Sequence, residues 1–204
     1  MTRLLPTLLL TALAACVGDK TPTDSDTSEV TDSSTPSGLP LVEIVTDLGS
    51  VVVEIDTEQA PVTGENFLQY VDDGFYDGDD GLGATLFHRV IPDFMAQGGG
   101  VLASGELKTP RDPIANESDN GLSNLRGTIA MARTSEPDSA NSQFFINVVD
   151  NEFLDIDGSY PPGYAVFGSV VSGMEVVDAL VGLDTDSADR PLVDHPILDC
   201  ERVE

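Results

Sequence analysis

Apolar and polar positions alternate from Leu41 to Ile55: Leu41-Val42-Glu43-Ile44-Val45, then Thr46-Asp47-Leu48-Gly49-Ser50, then Val51-Val52-Val53-Glu54-Ile55. Two β-branched runs around a short Gly-containing turn predict a hairpin. At Pro61 the period changes. Proline suits a first helical position, and Val62, Phe67, Leu68 and Val71 are spaced for one buried face before Gly74 can end the helix. Runs of β type return at Leu86–Ile91, Phe94–Gln97, Thr128–Ala132, Phe144–Val148, Ala165–Val170 and Ile197–Val203. A second helix is expected from Met174 to Leu180, announced by Ser172-Gly173. About eight short strands with two helices fit a closed antiparallel barrel capped at its ends. The periodicity alone fits a sandwich as well.

The N-terminus reads differently. Met1 to Ala15 has a charge at Arg3 and an apolar stretch from Leu4 to Ala15 interrupted by Pro6, the pattern of a signal peptide. It falls short of the roughly 20 apolar residues that span a bilayer. Leu13-Ala14-Ala15-Cys16 resembles the lipobox of bacterial lipoproteins, which implies lipidation at Cys16. Val17 at the next position, rather than Asp, resembles lipoproteins passed on to the outer membrane. Residues 16–40 would then be the lipidated cysteine and a Ser/Thr/Asp/Pro/Gly tether without apolar periodicity, and residues 41–204 the folded domain. The 24 residues from Val17 to Pro40 would reach on the order of 25–30 Å as a flexible coil. The expected location is therefore extracytoplasmic, anchored by lipid to the cell envelope and facing the periplasm. Lipidation of Cys16 leaves Cys200 unpaired, as a small apolar residue near a strand end.

Charge excludes some partners. The chain has 36 acidic and 9 basic residues, a formal net charge of −27. Residues 41–204 hold 31 acids and 7 bases, so the domain itself carries −24. Such a surface repels nucleic acid and anionic lipid, which leaves a lipid anchor as the membrane contact. The expected state is a monomer.

One of those few cations sits in unusual company. Phe87-His88-Arg89-Val90-Ile91-Pro92-Asp93-Phe94-Met95-Ala96-Gln97 sets Arg89 among apolar and aromatic residues, and guanidinium cannot shed its charge there. Regular alternation places Arg89 on the face of Phe87 and Ile91, opposite His88 and Val90. A second segment, Gly127-Thr128-Ile129-Ala130-Met131-Ala132-Arg133 followed by Ser142-Gln143-Phe144-Phe145-Ile146, repeats the theme of an apolar strand with isolated amide or guanidinium groups. Together these resemble the two signature segments of the cyclophilin family of peptidyl-prolyl isomerases, most of all the bacterial periplasmic type, from about Leu41 onward. The resemblance implies an eight-stranded antiparallel barrel with a helix over each opening. It also implies isomerisation of X–Pro bonds in proline-containing polypeptide clients, without a cofactor.

The site residues follow by the same resemblance. Arg89 matches the catalytic arginine; Phe94, Met95, Phe145 and Leu154 match the proline slot. Gln97 and Gln143 match glutamines that orient the arginine and contact substrate backbone. Ala132 and Arg133 match the strand beside which substrate lies, the backbone of Arg133 mattering more than its side chain. Phe153 stands where eukaryotic members carry tryptophan and Tyr164 where they carry histidine, which implies weaker cyclosporin binding. Asp77-Gly78-Asp79-Asp80-Gly81-Leu82-Gly83 is an apparent insertion. It lacks the spacing of a calcium-binding EF-hand and reads as a solvated turn. No metal site is expected: His88 and His195 are far apart, and no thiol pair accompanies them. Gly98-Gly99-Gly100 has no following Lys-Ser/Thr, so it is a close-packing device rather than a phosphate cradle. The alternative function is a proline-peptide clamp or chaperone with incidental catalysis, for which the slot without Arg89 would suffice.

Overall fold

The computed structural model describes residues 38–159 and 161–204, so the signal segment, Cys16 and most of the tether lie outside the described residues. The elements are β1 (Leu41–Thr46), β2 (Gly49–Ile55), α1 (Pro61–Asp72), β3 (Thr85–Ile91), β4 (Met95–Leu102), β5 (Thr128–Met131), β6 (Phe144–Asn147), β7 (Val166–Ser172), α2 (Met174–Val181) and β8 (Asp199–Val203). The expected hairpin is present as β1–β2, paired from Leu41↔Glu54 to Thr46↔Gly49. Its inward residues Val42, Ile44, Val51, Val53 and Ile55 are fully buried, as strict alternation requires.

All eight strands form one antiparallel sheet in the order β3-β4-β6-β5-β7-β2-β1-β8. The ladder has two edges, β3 and β8, so the expected closed barrel is met only as a curled sheet. Between those edges runs the segment leading into β8: Phe87 N–H donates to the His195 carbonyl (3.1 Å), and Ile197 N–H donates to the Thr85 carbonyl (2.9 Å). Pro196 stands between these bonds, and a residue without an N–H cannot extend a ladder. Helix α1 packs against β7 and β8, and α2 against β2, β3 and β4.

The sheet separates two apolar clusters. The larger lies inside the curl and holds Phe67, Tyr76, Phe87, Phe144 and Phe167. The smaller holds Met95, Ala130, Phe145, Leu154 and Val166 on the outer surface. Successive residues therefore serve opposite sides: Ala96 and Phe144 face inward, Met95 and Phe145 outward. Position 62 departs from expectation. Val62 is 45% exposed, because at about 100° per residue it lies roughly 180° around the helix from Val71. The buried face of α1 is instead Thr63, Gly64, Asn66, Phe67, Leu68, Tyr70 and Val71.

Strand β3 also corrects the sequence reading. Its register against β4 shifts between Phe87 and Arg89. A bulge of this kind adds a residue and re-aims the side chains beyond it. Phe87 and Val90 consequently both enter the inner core, while Ile91 packs against the outer cluster. Arg89 does not share a face with Phe87. The bulge releases the guanidinium from the interior.

Candidate active site

The outer cluster forms the floor of a cavity of about 130 Å³, lined by nine residues: Arg89, Phe94, Met95, Gln97, Ala132, Arg133, Phe145, Leu154 and Tyr164. Each was singled out in the sequence. Strands β3 and β4 supply Arg89, Met95 and Gln97, with Arg89 directly opposite Gln97 in the ladder. Strand β6 supplies Phe145, and the chain leaving β5 supplies Ala132 and Arg133.

Two further expected residues lie just behind the lining. Gln97 Nε2 donates to Gln143 Oε1 at 3.0 Å, so the two glutamines act as a pair. Gln143 rests on the backbone of Gly100, where a Cβ would come within 2.4 Å of its Cγ. Gly99, at φ 82°, passes beneath the Phe144 ring, where a Cβ would come within 2.9 Å of the ring carbons. The glycine run is thus a close-packing device inside a strand that extends to Leu102, longer than expected. Phe153 stacks on Phe94 with centroids 5.8 Å apart and stays 43% exposed, forming a rim.

Aromatic and cationic groups make the opposite wall. Tyr164 meets Phe145 edge to face at 5.8 Å. The Arg133 guanidinium lies 4.4 Å from the Tyr164 centroid, and its Nε donates to the Gly163 carbonyl at 2.8 Å. The Arg133 side chain therefore builds the wall as well as its backbone. Burial above all pushes the pKa of His88 down, and the nearby Arg190 and Arg89 charges act in the same direction.

A buried polar network, unforeseen in the sequence, fixes the slot from below. Asn151 Nδ2 donates to the Phe94 carbonyl (3.0 Å) and to Asn147 Oδ1 (2.7 Å). Asn147 Nδ2 donates to Asn124 Oδ1 (3.2 Å), and Asn124 Nδ2 to Asp155 Oδ1 (2.8 Å). These links tie the loop bearing Phe153 and Leu154 to the turn bearing Phe94. Among the described residues no buried side-chain polar atom lacks a partner, so the network carries no unpaired desolvation cost.

Asp189 was also missed. Its Oδ2 lies 3.4 Å from Arg89 Nε. Nothing in Asp186-Ser187-Ala188-Asp189-Arg190 announces contact with a strand a hundred positions earlier. Among the described residues no cluster of His, Cys, Asp or Glu could hold a metal ion.

A small apolar slot with a cation and amides at its mouth is a site for a compact ring on an extended peptide. Comparison with known proteins makes the class specific. A family model described as cyclophilin type peptidyl-prolyl cis-trans isomerase matches residues 41–202. Peptidyl-prolyl cis-trans isomerase A of Dickeya dadantii is 53% identical over 146 residues, covering 72% of this chain and 73% of that protein. Peptidyl-prolyl cis-trans isomerase B of Escherichia coli is 48% identical over 147 residues, covering 71% of this chain and 86% of that protein. A Cryptosporidium parvum cyclophilin type isomerase, crystallised in the presence of the dipeptide Ala-Pro, superposes with a TM-score of 0.65 at 25% identity. That alignment covers 80% of this chain and 99% of the other. The chain belongs to the cyclophilin-type peptidyl-prolyl cis-trans isomerase family, and its activity is peptidyl-prolyl cis-trans isomerisation.

Proposed function

We propose that the enzyme binds the proline of an extended polypeptide in the cavity floored by Met95, Phe145 and Leu154, and that Arg89 stabilises the twisted X–Pro bond. The observation that carries this is the meeting of the Arg89 guanidinium with an apolar slot of about 130 Å³. Pockets for drug-sized ligands measure roughly 300–1,000 Å³. This slot suits one small ring.

Rotation about the bond breaks amide resonance against a barrier of about 18–20 kcal/mol. At the twisted geometry the prolyl nitrogen regains its lone pair and becomes a better hydrogen-bond acceptor. A fixed cationic donor near that nitrogen is therefore felt more strongly in the transition state than in either isomer. The reaction moves no electron pair to or from the protein and retains no proton, so it calls for no cofactor. Gln97, held by Gln143, is placed to take substrate backbone, and the Ala132–Arg133 segment offers an edge beside which the peptide can lie.

We also propose that the enzyme works outside the cytoplasm on folding client proteins, as a lipid-anchored monomer at the envelope. Uncatalysed X–Pro isomerisation takes tens of seconds or more and can limit folding. The support is Leu13-Ala14-Ala15-Cys16 with the acidic tether that follows. Cys16→Ser should release the protein from membranes and leave isomerase activity unchanged. Stable anchoring takes more than one membrane signal, and lipoprotein processing at Cys16 would supply them. Membrane fractionation and the mass of the mature N-terminus check this; an unmodified N-terminus in the soluble fraction of wild type would defeat the anchor.

A protease-free exchange measurement on a short X–Pro peptide with the full chain tests the reaction. The same measurement bears on the rim. Phe153→Trp should increase cyclosporin sensitivity, because indole adds contact area and an N–H donor. An unchanged inhibition curve would remove Phe153 as the cause of weak binding.

A further inference from the structure

We propose that Asp189 is a positioning residue for Arg89: its carboxylate anchors the guanidinium at Nε and leaves the two terminal nitrogens as donors toward the proline slot. The inference rests on the catalytic role given to Arg89 above.

The loop carrying Asp189 is fixed to the strand it serves. Val90, next to Arg89, donates its N–H to the Asp189 carbonyl at 2.9 Å. Asp189 N–H donates to the Asp186 carbonyl (3.2 Å), and Asp186 N–H to the Arg190 carbonyl (2.8 Å). The Asp186 side chain accepts from Ala188 N–H (2.8 Å) and Arg190 N–H (3.1 Å). Asp189 itself sits at φ 62°, a left-handed conformation that residues with a side chain seldom take, and that Asp tolerates better than most. The turn thus delivers a carboxylate to within 3.4 Å of Arg89 Nε from a rigid base.

Folding stability does not account for the pair. Its two side chains are 42% and 43% exposed, and ion pairs this open contribute little. Orientation remains. Arg89 stands on a bulged strand with its side chain half in solvent, and an unanchored arginine would spread over many rotamers. The carboxylate also offsets part of the guanidinium charge, which works against catalysis. The contact is an ion pair at Nε, which leaves the hydrogen-bonding capacity of the terminal nitrogens for the substrate.

Asp189→Gly in the full chain tests this, since glycine takes φ 62° without strain and removes only the side chain. The expected result is a roughly five- to tenfold lower kcat with KM within about twofold, both read from exchange spectra over a series of X–Pro peptide concentrations that reaches saturation. Asp189→Asn keeps an oxygen near Nε without the charge and should fall between the two. In an Arg89→Ala background, Asp189→Gly should add nothing, the mark of two groups acting as one. A kcat for Asp189→Gly equal to wild type, beside a slow Arg89→Ala, overturns this inference alone. So does an equal loss in both backgrounds, which would make Asp189 merely structural. Full activity in Arg89→Ala overturns the catalytic role of Arg89 and this inference with it.

Discussion

Replacing Arg89 by alanine should lower kcat/KM by about a hundredfold or more while the domain stays folded. Removing one preorganised donor from a catalytic site costs on the order of 2.7–4 kcal/mol, and each 1.36 kcal/mol is about tenfold. The fold should tolerate the change because the side chain is 42% exposed and lies outside the inner core. A melting temperature within about 2 °C of wild type would be typical for such a surface substitution. Peptide binding should change far less than turnover, since the floor of Met95, Phe145 and Leu154 is untouched. That split separates an enzyme from a proline clamp: a clamp would lose neither binding nor a rate that mattered. Wild-type kcat/KM in a well-folded variant would end the proposed mechanism.

The parts of this molecule that were legible in the sequence are those set by local period. Glu43 and Glu54 interrupting β-branched runs fixed both strands of the first hairpin. In Phe144-Phe145 the two rings divide between the inner core and the slot, as a period of two demands. The family motifs located every residue that lines the cavity. What remained hidden was set by tertiary structure. The register shift that turns Arg89 away from Phe87 leaves no mark on composition. Asp189 reaches Arg89 only because Val90 binds its carbonyl across a fold that brings distant segments together. The asparagine network under Phe94 reads in sequence as isolated turn residues. Likewise the helical face of α1 centred elsewhere than Val62, because Glu117 accepts the N–H of Val62 and Thr63 at the helix start and Val62 itself is left in solvent.

The insertion at 77–83 is a largely exposed turn, as expected, and it also folds over a buried charge, which leads to the largest expected loss of stability. Lys108 is only 3% exposed. Its ammonium donates to the Phe75 carbonyl (2.7 Å), the Gly83 carbonyl (2.7 Å) and Asp80 Oδ1 (2.8 Å). It also lies 4.7 Å from the Phe75 ring centroid. Its backbone N–H donates to the Gly100 carbonyl at 2.9 Å, which ties the insertion to β4. Lys108→Met keeps the length of the side chain and strands three oxygens without their donor. Breaking a buried ion pair costs about 3–5 kcal/mol. The Asp80 side chain keeps 18% exposure and can turn to water, which places the expected loss near 3 kcal/mol by the same reasoning. For a domain of this size that is a fall of roughly 6–12 °C in melting temperature. Asp80→Asn retains an oxygen acceptor but leaves the buried ammonium without its counter-charge, so it should also cost about 3 kcal/mol. Isomerase activity of Lys108→Met well below its melting temperature should stay within about twofold of wild type, because Lys108 touches none of the cavity residues and acts on stability alone. Calorimetry and the exchange measurement together decide the matter. A melting temperature unchanged by Lys108→Met would mean that the insertion holds itself in place without the ammonium.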